Sequence, residues 1–241
     1  MDFAAGSSSE LAKQKLAKHS EYTVSGPGLG PINSATLIRD PKHLLFTLSR
    51  YKFISKLLKG KSRVIEIGCH EATGSLIVAK EVEHLTAIDL QTDVIEFCQR
   101  EYERFNLNIS FYCLDALDTL SALTNNGKQK FDAAFLLDVL EHIDPEQENQ
   151  LMGNIINVLS DTGALIIGIP SIESQPYASP VSKVQHINCK SLDSLKFLVE
   201  KYFHNVFMFG MNDEVLHTGF APMCQYIFAV ATNPKSIKVS Q

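Results

Sequence analysis

No apolar run in this 241-residue sequence approaches the ~20 residues of a membrane-spanning helix, so no membrane partner is expected. The first ten residues carry Asp2 and a serine run where a secretory signal would carry a basic end and an apolar stretch, and we read no signal there. The five cysteines, Cys69, Cys98, Cys113, Cys189 and Cys224, form no Cys-x-x-Cys pair, which argues against a zinc ribbon or a disulfide framework. A reduced, cytoplasmic protein is the expectation. Internal repeats are absent, and no low-complexity tract extends beyond Ser7–Ser9. What the chain does have is ordinary globular composition, 45% hydrophobic and 20% charged, with length enough for one large domain or two small ones.

The net charge of −5, from 22 basic and 27 acidic residues, disfavours a protein whose main task is gripping a phosphate backbone. The balance is uneven. Arg39, Lys42, Arg50, Lys52, Lys56, Lys59, Lys61 and Arg63 face a single acid, Asp40, in the same stretch. Such a run is either the solvated face of a helix or a positive rim for a small anionic substrate.

Residues Ser9 to Lys18 read as a short helix with Leu11 and Leu16 as apolar contacts. The Gly/Pro-dense stretch from Ser25 to Pro31 reads as a loop, and Gly26 to Arg39 as a hinge or lid. Asp40-Pro41 is a helix-start signal, Leu44, Leu48, Tyr51 and Leu58 repeat at helical spacing, and Gly60 closes that element. Beyond Arg63 the pattern alternates. Strands are expected at about 63–67, 84–89, 109–113, 132–137 and 163–169, with helices near 74–81, 92–105, 117–123 and 146–159. That alternation predicts a parallel sheet covered on both faces. A helix from Ser191 to Tyr202 and strands from Asn205 to Met211 and Gln225 to Thr232 complete the chain. No crossover helix fits between the last two strands, so the sheet should end in an antiparallel hairpin.

The stretch from Val64 to Ser75, Val-Ile-Glu-Ile-Gly-Cys-His-Glu-Ala-Thr-Gly-Ser, is the most informative. An apolar strand passes Glu66, turns on Gly68 and enters a helix near Gly74. Doubly wound sheets bind ligands at such carboxyl ends, where the helix start offers free N–H groups. The second strand ends in Asp89, placed to accept hydrogen bonds from the ribose hydroxyls of an adenosine. The third ends in Asp115, placed for an exocyclic adenine amine. The segment from Phe131 through Asp138-Val-Leu-Glu-His142 then runs from the fourth strand into a helix.

Together these residues resemble the class I S-adenosylmethionine-dependent methyltransferases, over roughly residues 60–235. The family's acid-x-Gly-x-Gly-x-Gly motif is matched by Glu66 to Ala72, its ribose acid by Asp89 and its adenine-side acid by Asp115. Asp138 to Ile143 is similar to its Glu-Val-Leu-Glu-His-Val segment, and Gly163 to Pro170 to its fifth strand. The resemblance implies a Rossmann-like doubly wound α/β fold with a seven-stranded sheet, a C-terminal antiparallel hairpin and an N-terminal helical cap. The expected division is a cap or lid over 1–59, a cofactor domain over 60–235 and a tail over 236–241. It implies S-adenosyl-L-methionine as cofactor, held by Glu66, Gly68, Cys69, His70, Gly74, Asp89, Leu90, Asp115, Ala116, Leu137, Asp138 and His142. The sequence departs from the motif where His70 and Ala72 stand for its second and third glycines, positions at which a positive φ is harder to adopt.

On the acceptor side, His186 and His217 are the expected catalytic bases, since methyl transfer to a hydroxyl needs positioning and a proton acceptor. Arg39 and His43 are the expected substrate contacts. Asp138, Glu141 and His142 fall at a spacing that could face a divalent ion, but no metal is expected. The expected function is methylation, at oxygen or nitrogen, of a small polar anionic metabolite such as a sugar, a sugar phosphate or a nucleotide-linked sugar. A small molecule is the expected partner, without nucleic acid, and homodimer formation stays open. The alternatives are a catalytically silent cofactor-binding partner protein, motivated by His70 and Ala72, and a nicotinamide-dependent oxidoreductase, whose Gly-x-Gly-x-x-Gly fingerprint is absent.

Overall fold

The computed structural model describes residues 28–236, apart from Thr119 and Asn126. The helix expected from Ser9 to Lys18, the start of the lid at Gly26 and the tail beyond 236 lie outside the described residues.

Among the described residues there are eight strands: β1 (Arg63–Ile67), β2 (His84–Asp89), β3 (Ile109–Cys113), β4 (Phe131–Leu137), β5 (Leu159–Pro170), β6 (Phe203–Asn212), β7 (Val215–His217) and β8 (Tyr226–Pro234). They form one sheet in the order β3-β2-β1-β4-β5-β8-β6-β7. Neighbours from β3 to β5 run parallel, whereas β8 lies antiparallel between β5 and β6. The expected seven strands and their terminal hairpin are therefore all there. β7 is an addition, three residues paired with Gly210–Asn212, too short to show an alternating pattern in sequence.

The helices are α1 (Pro31–Arg39), α2 (Pro41–Leu57), α3 (Ser75–Ala79), α4 (Thr92–Tyr102), α5 (Glu148–Val158), α6 (Pro180–Gln185) and α7 (Leu192–Glu200). Asp40 starts α2 by accepting the His43 N–H at 3.2 Å, and Gly60, at φ 76°, lies just past its end. Several expected helices are trimmed. The element over 92–105 breaks after Tyr102 into a 3₁₀ turn, and that over 117–123 is a 3₁₀ turn at Leu120–Thr124. α5 stops at Val158 because Leu159 already pairs with Phe131, which also starts β5 earlier than expected. α6 was not expected, although Ser179 caps it through the Ser182 N–H and Pro180 occupies its first turn.

Both sheet faces are covered. On one, Tyr51 and Ile54 of α2, Leu58 just after it and Val78 of α3 pack on Val64, Phe135, Ile166 and Phe228. On the other, Leu151, Met152 and Ile155 of α5 and Leu195 and Leu198 of α7 pack on Ile65, Leu136 and Ile167. Each such fully buried aliphatic side chain contributes about 1.5–3 kcal/mol. α2 thus shares the core of the sheet, while α1, with no buried residue, rides outside it.

Candidate active site

β1 has β2 on one side and β4 on the other, so the strand order reverses there and leaves a crevice above the strand ends. A cavity of about 580 Å³ occupies it, walled by Gly68 to Gly74, by α1 and α2, by Leu137, Asp138, Glu141 and His142 after β4, and by Ser182, Gln185 and His186 of the crossover after β5. That volume suits a small organic ligand.

The turn after β1 shapes one wall. Gly68 has φ 77°, and a β-carbon there would collide with Val139. His70 and Ala72 take φ 47° and 55°, so the motif keeps its left-handed shape without the glycines that adopt it most easily. Part of the compensation is visible. Asp89 accepts the His70 N–H at 2.9 Å and the Gln91 N–H at 3.0 Å, tying the β2 tip to the turn. Glu71 reaches the other way, accepting the Ile32 and Asn33 N–H groups at 2.8 and 2.7 Å, so it anchors the N-terminus of α1. Gly30, at φ 84°, leaves the space that Glu71 fills.

Glu66 is 1% exposed, with the Ser75 and Tyr51 hydroxyls beside its carboxyl group. Burial pushes its pKa up to about 8, although the Ser75 and Tyr51 hydroxyls pull it down. Arg50 of α2 is also buried, 5% exposed. Its guanidinium lies 4.1 Å from the Phe46 ring centroid and 3.7 Å from that of Tyr226, and Nη1 donates to Asp138 Oδ2 at 2.5 Å. Asp138 itself is held at φ 54°.

Opposite the turn, Glu141, His142 and His186 each present one ligand atom, all within 4.8 Å of one another. Glu141 is fully buried with both oxygens unpartnered, and desolvation drives its pKa well above the carboxylate range. The two imidazole centroids are 5.1 Å apart. Burial, with the His142 charge, holds His186 below the ordinary imidazole value, which keeps a lone pair free. The spacing read in sequence grouped Asp138 with Glu141 and His142. The fold instead turns Asp138 onto Arg50 and brings in His186 from the crossover.

The expected site residues divide into groups. Gly68, Cys69, His70, Gly74, Leu137, Asp138, His142, His186 and His43 wall the cavity. Glu66 lies beneath it. Asp89, Leu90, Asp115 and Ala116 stand at the tips of β2 and β3, outside the cavity lining, with Asp115 exposed and accepting the Leu117 N–H at 2.8 Å. Arg39 lies in a shallow depression on the outside of α1 and α2. His217 lies on β7, away from the cavity, its Nδ1 accepting the Gly219 N–H at 3.0 Å. Arg50, Tyr51 and Glu71 were not singled out. Arg50 follows Phe46 by one helical turn and adjoins Tyr51 of the apolar stripe, the one signal that could have separated it from the exposed lysines.

A sheet of this order with its crevice at the β1–β4 switch and an antiparallel β8 defines a Rossmann-like methyltransferase fold. A family model described as a methyltransferase domain matches residues 64–163. A ubiquinone biosynthesis O-methyltransferase of Coxiella burnetii is 30% identical over 144 residues, covering 58% of this chain and 56% of that protein. The match thus spans a little over half of that relative's length. Among solved structures, N-methyltransferase NodS from Bradyrhizobium japonicum WM9 in complex with S-adenosyl-L-homocysteine superposes with TM-score 0.61 at 17% identity, covering 86% of this chain and 95% of that one. The methyltransferase domain of bacterial CtHen1-C gives TM-score 0.63 at 17% identity, covering 78% and 98%. Over residues 64–163 the chain is thus similar to the methyltransferase-domain family, and its fold is that of the class I S-adenosylmethionine-dependent methyltransferases.

Proposed function

We propose that this protein is an S-adenosylmethionine-dependent O-methyltransferase whose small hydroxylated acceptor is oriented by a divalent cation on Glu141, His142 and His186. One observation carries the reading. The cofactor turn at Gly68–Gly74 and the Glu141–His142–His186 cluster wall the same cavity, so donor and acceptor sides face each other.

The cofactor is S-adenosyl-L-methionine, and the residues present fit it. Glu66, buried beside the turn, supplies the carboxyl group for its methionine amine, whose positive charge would draw Glu66 to the carboxylate form, and the turn keeps its backbone accessible through three positive φ angles, at Gly68, His70 and Ala72. Asp89 and Asp115, at neighbouring strand tips, are the residues for the nucleoside half. When bound, the cofactor would supply a methyl group on a sulfonium, open to in-line transfer to the acceptor oxygen with S-adenosylhomocysteine as the leaving group. A divalent cation, when bound, lowers the pKa of a coordinated hydroxyl. The hydroxyl proton leaves to solvent past Ser182 and Gln185, which wall the cavity. Arg50 fixes Asp138 beside the reacting centre, and α1, latched by Glu71, limits access of water.

The printed name of the Coxiella relative, an O-methyltransferase, supports oxygen as the acceptor atom. An acceptor built on a sugar draws no support from these relatives, so we retain only a small polar molecule, with His43 as an acceptor contact. The acidic net charge weighs against a nucleic-acid acceptor. The test is formation of S-adenosylhomocysteine with a panel of catechols and other hydroxylated small molecules, with and without chelator. Turnover should disappear with chelator and return with Mg²⁺ or Mn²⁺. Chelator-resistant turnover would remove the cation, and a wild-type chain that binds cofactor but never turns over would leave the silent-partner reading.

A further inference from the structure

We infer that Gln175 is a positioning residue of the acceptor side: its side-chain carbonyl holds His186 in the tautomer that leaves the Nε2 lone pair free. The inference rests on the reading of Glu141, His142 and His186 as the acceptor-side groups. It adds a residue that neither walls the cavity nor falls within the matched segment, 64–163.

A neutral imidazole carries a proton on one nitrogen and a lone pair on the other, and the hydrogen bond at one nitrogen decides which. His142 Nδ1 lies 3.1 Å from the Gln185 main-chain carbonyl oxygen, and His186 Nδ1 lies 3.1 Å from Gln175 Oε1. Both oxygens can only accept. Each Nδ1 is therefore the donor, and each ring keeps its lone pair on Nε2. A ring that is to hold a cation or receive a proton through Nε2 needs this tautomer, since the other one puts a hydrogen there.

The two rings are fixed by different means. For His142 the acceptor is main chain and comes with the end of α6. For His186 it is one side-chain amide, so the way that amide faces decides the tautomer. Gln175 Nε2 donates to the Ser171 carbonyl oxygen at 3.3 Å, which turns Oε1 toward the ring. A flipped amide would set two acceptor oxygens against each other and aim an N–H at His186. Ser171 is a firm anchor. It is fully buried, its hydroxyl donates to the Cys224 carbonyl, and its N–H donates to the Gln225 carbonyl at 3.1 Å. The order set at the end of β5 thus passes through Gln175 to a ring on the cavity wall.

The experiment combines nitrogen-15 spectra of the histidine rings, without metal and at about pH 8, where an ordinary imidazole is neutral, with Mn²⁺ titration of the full chain. Wild type, Gln175→Leu and Gln175→Glu are compared. Wild-type His186 should carry its proton on Nδ1. Gln175→Leu, which has no acceptor, should populate the Nε2–H form and bind Mn²⁺ roughly ten- to a hundredfold more weakly, the range for losing such a partner. Its affinity for S-adenosylhomocysteine should hold. Gln175→Glu should keep the Nδ1–H form and the Mn²⁺ affinity, and move the Nδ1 proton downfield through a charge-assisted bond. A wild-type His186 protonated on Nε2, or a Gln175→Leu chain with unchanged tautomer and Mn²⁺ affinity, overturns the assignment. A merely structural Gln175 would weaken both ligands together and leave the tautomer alone. Should Gln175→Leu not fold, Gln175→Glu decides, since an Nδ1 proton that does not respond to the carboxylate also overturns it. A wild-type chain with the expected tautomer that binds no Mn²⁺ removes the cation of the proposed function and leaves the Gln175 assignment standing.

Discussion

At the scale of single residues, the motif turn is shaped by non-glycine residues in a glycine conformation. An L-residue in the left-handed region costs about 1–2 kcal/mol, more for a β-branched one, so His70 and Ala72 store strain that Asp89 and Glu71 help hold in place. Replacing His70 by Gly trades relieved strain against a more flexible unfolded chain and should shift stability by no more than about 1 kcal/mol. His70→Val should destabilise by about 2 kcal/mol, and denaturant unfolding of the pair checks the contrast. Glu66 gives a second expectation, with a definite sign. Its folded pKa of about 8 stands above the ordinary 4.5, so the unfolded state sheds the proton first as pH rises. The contribution of Glu66 is fully present below about pH 4.5 and is lost progressively up to about 8. Glu66→Gln should therefore flatten the fall in stability across that window, measured as the unfolding midpoint against pH without cofactor.

At the scale of elements, legibility followed the strength of the local pattern. β1, β2 and β4 are buried on both faces and show as mainly apolar runs broken by single polar residues, and α2 announces itself by Asp40-Pro41 and its leucine spacing. The element over 117–123 offered apolar residues without length, and a 3₁₀ turn satisfied them. α6 was invisible because its exposed valines give no amphipathic period over six residues. The lid read between Gly26 and Arg39 is a helix in its second half, and it owes its position to hydrogen bonds instead of burial. Glu71 meets two of its orphan N–H groups, and the Asn33 amide donates to Thr73 Oγ1 at 3.1 Å. Glu71→Ala should release α1 without unfolding the sheet. Hydrogen exchange at Ser34 to Ile38 should speed by at least roughly tenfold, as expected for loss of two bonds to a charged acceptor, while exchange in β1 stays unchanged.

At the scale of the whole molecule, the strand ends that carry Glu66, Asp89 and Asp115 could be placed from sequence because parallel crossovers deliver every strand tip to the same edge. Contacts made across the chain could not. The 88-residue separation of Arg50 from Asp138, and the approach of His186 to Glu141, depend on α2 lying across the sheet and on the path of the crossover after β5. The same long-range closure links ligand binding to global stability. Asp89 ties β2 to the motif turn through His70 and Gln91 while its oxygens keep further acceptor capacity, so removing it should both loosen the turn and take away the ribose partner. S-adenosylhomocysteine at about a hundred times its Kd should add about 2.7 kcal/mol to the wild-type chain, a rise of several degrees in Tm. Asp89→Ala should bind at least roughly tenfold more weakly and lose about 1.4 kcal/mol of that stabilisation at the same ligand concentration. Asp115→Ala, whose carboxylate is exposed and, among the described residues, accepts the nearby Leu117 N–H, should lose less. An Asp89→Ala chain that keeps the full thermal shift, with unchanged affinity by calorimetry, would place the nucleoside away from the β2 tip, and the strand-end acids would then be only turn supports.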